Sequence, residues 1–163
     1  MLLEQAVTGR ITDNEWRSLV MRDLALAYPS SRAKEAVIAW SRPAGTISSE
    51  VLSLVSRVRK HCLVGLVTNA TDRLNRDLES LGVAHHFDFI VNSSEVGFSK
   101  PSPEIFKHAL ALSGASPSQA VFVDDTASHV SAARALGIRS YHFASAAELG
   151  TFLQSVGLLT NAA

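Results

Sequence analysis

At 163 residues the chain has room for one domain, or for one domain with a small appendage. Apolar residues make up 47% and charged residues 18%, which excludes long disorder and calls for a packed core. Lys plus Arg balance Asp plus Glu at 15 each, so the chain lacks the overall basic excess that gripping nucleic acid or an anionic membrane requires.

No stretch approaches the roughly 20 apolar residues of a membrane span. The opening MLLEQAVTGR carries acidic and polar residues where a secretory signal would be apolar. The lone cysteine, Cys62, sits in the apolar run HCLVGLV, so no disulfide framework exists and a buried, inert thiol is expected. The expectation is a soluble cytoplasmic protein.

The first elements read as helices. Ile11, Trp16, Leu19, Val20 and Leu24 fall at helical spacing, and ITDNEW offers Thr12 as N-cap with Glu15 three residues on. Ser31 to Trp40 is a second helix, ended by Ser41-Arg42-Pro43, and Thr46 to Lys60 a third with a stripe from Ile47 to Val58. The pattern then changes. CLVGLVTN is a short continuous apolar run, the pattern of a strand buried on both faces. Thr71 to Leu81 is amphipathic and stops at Gly82. FDFIVNSS is a second strand, followed by a loop SEVGFSKPSP and a helix from Pro103 to Ser113. AVFVDD, a helix from Ala127 to Leu136, the strand IRSYHF and a helix from Ser145 to Val156 complete the chain.

This alternation predicts an α/β fold of three layers, a mainly parallel Rossmann-like sheet with helices on both faces. The boundary is expected near Pro43 to Ser49, with residues 1–45 a helical appendage and 46–163 the α/β core.

In such a sheet ligands lie beyond the carboxyl ends of the strands. Thr68-Asn69 follows the first strand, Asn92-Ser93-Ser94 the second with Lys100 after its loop, and Asp124-Asp125 the third. Each has an ordinary alternative: a turn for Thr68-Asn69, a solvated loop lysine for Lys100, a helix cap for Asp125 or Thr126. Together they form a set. Two adjacent carboxylates suit a shared divalent cation, oxygen ligands suit Mg²⁺, and a lysine with a hydroxyl suits a phosphoryl group. The six histidines show no metal-ligand spacing and read as structural or surface residues.

The phrases VTNA, FDFIVNSSEVGFSKPSPEIF and VFVDDTASHVSAARALGI resemble the haloacid dehalogenase-like hydrolase superfamily, over roughly Leu54 to Leu158. The resemblance implies roles: Thr68 and the Asn69 backbone on a phosphoryl group, Lys100 holding phosphoryl oxygens, Asp124 and Asp125 as metal ligands for Mg²⁺. It implies a Mg²⁺-dependent phosphatase lineage acting on small phosphorylated metabolites. GRITDNEWRSLVMRDLAL resembles the later part of the family's helical cap, and where family members commonly carry asparagine this chain has His129.

One departure is large. The family's nucleophile lies in an Asp-x-Asp at the end of a first, central strand, and this sequence holds no Asp-x-Asp. Asp13, Asp23, Asp72, Asp77 and Asp88 each lack a second aspartate two residues on. The expectation is therefore a truncated scaffold without its first central strand, inactive alone because the covalent route needs that aspartate. The gap would be closed by direct pairing of its neighbours, by an element from another copy in a homo-oligomer, or by further chain. The alternative function is a non-catalytic binding protein. Dehalogenation fits less well, because it would leave the paired aspartates without a purpose.

Overall fold

The computed structural model describes residues 1–42 and 45–160. The expected boundary segment begins at Pro43, and Pro43 and Ala44 lie outside the described residues, as do 161–163.

Three helices come first: α1 (Leu2–Val7), α2 (Asp13–Ala25) and α3 (Ser30–Ser41). The start of α2 is set by the expected capping box: the Thr12 hydroxyl accepts from the Glu15 amide, and Glu15 accepts from the Thr12 amide at 2.8 Å. Helix α4 (Ser49–Val58) is shorter than its apolar stripe, because the Ser48 hydroxyl accepts from the Val51 amide and fixes the first turn there.

Alternating strands and helices follow: β1 (Gly65–Thr68), α5 (Leu74–Leu81), β2 (Phe89–Asn92), the short α6 (Ser93–Val96), α7 (Pro103–Ser113), β3 (Val121–Asp124), α8 (Ala127–Ala135), β4 (Arg139–His142) and α9 (Ala146–Ser155). Short 3₁₀ turns at Ala84–His86 and Pro117–Gln119 precede β2 and β3. Gly82 closes α5 at φ 66°, a left-handed conformation costly for other residues. Gly65 is required differently: a Cβ there would lie 2.1 Å from the Phe89 ring across the ladder.

The expected α/β class and parallel pairing hold. The sheet is divided where the absence of a first central strand is expected to leave a gap: β1 pairs in parallel with β2, β3 in parallel with β4, and among the described residues no ladder joins the two pairs. Of the three ways of treating the gap, direct pairing of β1 with β3 is the one these topologies exclude. Expected as a strand buried on both faces, β1 is instead half-buried throughout, as is β3, and among the described residues each has one edge with no neighbouring strand. On β3 the open edge can be assigned. The Asp124 carbonyl accepts from the Phe143 amide beyond β4, so by strand alternation Val121 and Val123 aim their backbone groups away from β4.

Helices hold the halves together on both faces. On one face Ile105 and Phe106 of α7 pack with Val91, Ala133 and Ile138, and Val67, Phe89 and Phe122 from both pairs join them. On the other, Val58, Leu149, Leu153 and Leu159 pack with Val64, Val123 and Tyr141. Phe122 and Val123, adjacent in β3, thus serve opposite layers, as a strand's period of two demands. Among the described residues no helix is long and apolar enough to cross a membrane.

Candidate functional site

The carboxyl ends of β1 and β3 meet at one residue, Lys100. Its ammonium donates to the Val67 carbonyl of β1 at 2.7 Å and to Asp124 Oδ2 of β3 at 2.7 Å. Both side chains are largely withdrawn from solvent, 10% exposed for Lys100 and 7% for Asp124. The ammonium also lies 5.7 Å from the centre of the Phe122 ring. Lys100 is the only side chain bonded to both strand pairs among the described residues.

Asn69 sets the position of Lys100. Its Nδ2 donates to the Lys100 carbonyl at 2.9 Å, and its Oδ1 accepts from the Lys100 amide at 2.7 Å. This reciprocal clamp ties the loop after α6 to the end of β1. The sequence reading gave Asn69 a backbone role; its side chain has this structural one. Thr68, the last residue of β1, is half-buried opposite Asn92. Behind it the Ser93 hydroxyl accepts from the Ala70 amide at 3.0 Å, and Asn92 Nδ2 donates to the Thr71 carbonyl at 3.0 Å.

Asp124 accepts three bonds. Besides Lys100, the Thr126 amide donates to Oδ1 at 2.8 Å and the His129 ring nitrogen Nδ1 lies 3.0 Å from the same oxygen. Burial alone would push its carboxyl up, but Lys100, the Thr126 amide and His129 together hold it below the ordinary aspartate range. Asp125 stands outside this bonded set. It is exposed, and among the described residues its carboxylate accepts one side-chain hydrogen bond, from the Thr126 hydroxyl at 3.4 Å.

So the structure brings together Asn69, Lys100 and Asp124 by direct bonds, with Thr68 beside Val67 and Asp125 beside Asp124 in the chain. Of the aspartate pair, Lys100 bonds Asp124. His129, which the sequence reading set aside, belongs to the site. It lies in the first turn of α8, where helical side chains tilt back toward the N-terminus and so toward Asp124. His142 Nε2 lies 2.9 Å from the Asp125 carbonyl. Cys62 behaves as expected: burial first, then the Asp88 charge, push its thiol up, and it packs beside the Val58 cluster.

Among the described residues no three His, Cys, Asp or Glu side chains gather as a metal cage. The donor set that exists is sparser: one remaining lone-pair position on Asp124 Oδ2 and the exposed carboxylate of Asp125, which accepts only a long bond from Thr126 among the described residues. That set fits a hard divalent cation that keeps most of its waters, the habit of Mg²⁺ beside a phosphate, and not one held by protein alone.

An α/β chain with helices on both faces of its strands and polar residues at their carboxyl ends is the class that fold and site define. A model of haloacid dehalogenase-like hydrolases matches residues 15–137, and the chain belongs to that family. Among curated relatives, bifunctional epoxide hydrolase 2 of Rattus norvegicus is 28% identical over 148 residues, covering 83% of this chain and 27% of that protein. Phosphoserine phosphatase of Thermus thermophilus is 38% identical over 84 residues, covering 50% of this chain and 34% of that protein. The chain thus spans about a third or less of these two relatives. Among solved structures, a HAD family enzyme of Bacteroides thetaiotaomicron, in complex with magnesium and inorganic phosphate, superposes with a TM-score of 0.69 at 27% identity. It covers 84% of this chain and 72% of that one. A predicted HAD-like hydrolase of Porphyromonas gingivalis gives 0.73 at 22% identity, with 94% and 78% covered, and shares the fold.

Proposed function

We propose that this chain is a phosphatase-type member of its family that binds Mg²⁺ and the phosphoryl group of a small metabolite, without turning it over unaided. The observation that carries the reading is the Lys100 ammonium, 2.7 Å from the Asp124 carboxylate and held by Asn69 at the carboxyl ends of β1 and β3. Asp124 and Asp125 would hold the cation, which would supply charge neutralisation to a phosphoryl oxygen. Thr68 and the Asn69 amide would donate to the phosphoryl group, and Lys100 would share its charge between that group and Asp124. His129, bonded to Asp124, would orient that carboxylate. The phosphatase among its relatives and the magnesium and phosphate held by the Bacteroides enzyme support the same reading.

Turnover is a separate matter. The sequence contains no Asp-x-Asp, so these residues include no carboxylate of the kind that attacks phosphorus in this family. A cytoplasmic setting belongs to the same proposal, supported by a single thiol that pairs with nothing.

The test is calorimetric titration with inorganic phosphate, with and without Mg²⁺, beside release of phosphate from p-nitrophenyl phosphate. Mg²⁺ should strengthen phosphate binding, Asp125→Ala should abolish that gain, and no Mg²⁺-dependent release should occur. Phosphate binding indifferent to both Mg²⁺ and Asp125 would refute the binding reading. Mg²⁺-dependent release lost in Asp125→Ala would refute the claim of no turnover.

A further inference from the structure

An open cleft of about 710 Å³ lies between α2 and α3 on one side and α5 with its preceding turn on the other. Four arginines reach it: Arg17, Arg42, Arg73 and Arg76. Among the described residues Asp13 and Asp77 are the only carboxylates in its wall, so four guanidinium charges against two carboxylates leave an excess of two. In a chain whose formal net charge is zero, that is a local concentration of positive charge.

The two carboxylates are already committed. Asp13, 6% exposed, takes the Arg17 guanidinium through both oxygens and also accepts from the Thr71 hydroxyl at 3.0 Å. Asp77 accepts from Arg73 Nε at 2.8 Å. Ser41, at the end of α3, takes one further bond from each of these arginines: its hydroxyl from Arg17 Nη1, its carbonyl from Arg73 Nη1. Arg17 also lies 5.0 Å from the centre of the Trp40 ring. Both guanidiniums are therefore fixed in place with donors left over, since each carries five N–H groups. Arg17 spends three and Arg73 two. Arg42 and Arg76 are exposed and make no ion pair among the described residues.

We propose that this cavity binds a small organic anion carrying two or more carboxylate or phosphate groups. Fixed, planar donor forks match such groups bidentately, and the flexible Arg42 and Arg76 close over them. The volume lies within the range of small-molecule sites. Met21, Val37 and Ile38 give the ligand's carbon skeleton an apolar wall. The convergence of four guanidiniums on one cavity carries this inference, which does not depend on the phosphatase reading.

The test is calorimetry with citrate in low-salt, Mg²⁺-free buffer on the full chain. Arg76→Glu and Arg42→Glu remove groups without internal partners, so both variants keep the fold, checked by circular dichroism. Each should weaken citrate binding at least tenfold, the loss of one charge-assisted contact. Lys107→Glu, the same charge change at an exposed position of α7, should leave it unaltered. Inorganic phosphate, a single group, should bind at least tenfold more weakly than citrate. No citrate binding, equal weakening by Lys107→Glu, or phosphate binding that is lost in Arg76→Glu yet as tight as citrate's would each overturn the proposal.

Discussion

Replacing Lys100 by methionine tests whether one side chain joins the two strand pairs. Methionine keeps most of the stem and removes the ammonium, so Asp124 keeps two of its three donors and the Val67 carbonyl loses its lysine partner. Removing one partner of a buried pair costs about 3–5 kcal/mol, because the other charge stays behind unpaired. At Lys100 and Asp124, 10% and 7% exposed, that penalty applies. The Thr126 amide and His129 still serve Asp124, so the low end, about 3 kcal/mol, is expected. A domain of this size is stable by about 5–15 kcal/mol, so the variant folds but unfolds at visibly lower urea. The double variant Lys100→Met with Asp124→Asn should be more stable than the sum of the singles predicts, by at least about 1 kcal/mol of coupling. Urea denaturation followed by circular dichroism measures all four corners of the cycle. A Lys100→Met loss below about 0.5 kcal/mol, or strict additivity, would refute the bridging role.

Three further outcomes follow from the same geometry. Phe106, 2% exposed and edge-on to Phe122 at 5.1 Å, anchors the layer under both pairs; Phe106→Ala should cost about 3–5 kcal/mol in urea denaturation, and a loss under about 1 kcal/mol would contradict its place in that core. The Val121 and Val123 amides, turned from β4, should exchange with deuterium faster than those of Phe122 and Asp124, and equal protection measured by NMR would show that the edge is covered. Acid should unfold the chain progressively. Asp13 and Asp124 have folded pKa values below their ordinary ones, so the unfolded state binds more protons and the stability they give is present above the ordinary aspartate range. It is lost as pH falls from about 5 to about 2, and thermal melts that stay flat across that range would contradict the assignment.

What could be read from the sequence was local. Proline at the first helical turn marks α7, a signal that lies within its own residues, and Gly114 closes it in a left-handed conformation immediately after. Where neighbours far along the chain intervene, the reading fails. Helix α5 starts at Leu74 and not at Thr71 because Thr71 and Asp72 turn their side chains to α2: the Thr71 hydroxyl donates to Asp13, and Asp72 accepts from the Asp13 amide at 2.7 Å. The apolar run from Cys62 forms a strand only from Gly65, since the Cys62 amide still bonds back to Val58 and Leu63 is 61% exposed. Helix α6 hid inside an expected loop, although Asn92 accepting from the Ser94 amide is the same capping chemistry as at Thr12. The split of the sheet leaves no trace in periodicity, which reports that a segment is a strand but not which strand it joins. The arginine cavity is equally silent in sequence, because its four guanidiniums come from three separate segments.

The placement of Lys100 also bears on the order in which ligands can arrive. Lys100, Asp124 and Asp125 together carry a net charge of minus one, and the bond from Lys100 to Asp124 spends much of the lysine's field on a neighbour already buried with it. Free phosphate approaching that set meets more negative charge than positive. A divalent cation on the two aspartates reverses the balance to plus one and leaves Lys100 freer to turn toward an incoming oxygen. Coupling between two ligands is reciprocal, so phosphate must raise the affinity for Mg²⁺ by the same factor by which Mg²⁺ raises the affinity for phosphate. On the proposed reading, lysine, aspartate and a bound cation would therefore act as one electrostatic unit. The side chain that would hold the phosphoryl oxygens is the one that ties β1 to β3, so phosphate binding at this site would be coupled to the cohesion of the two strand pairs.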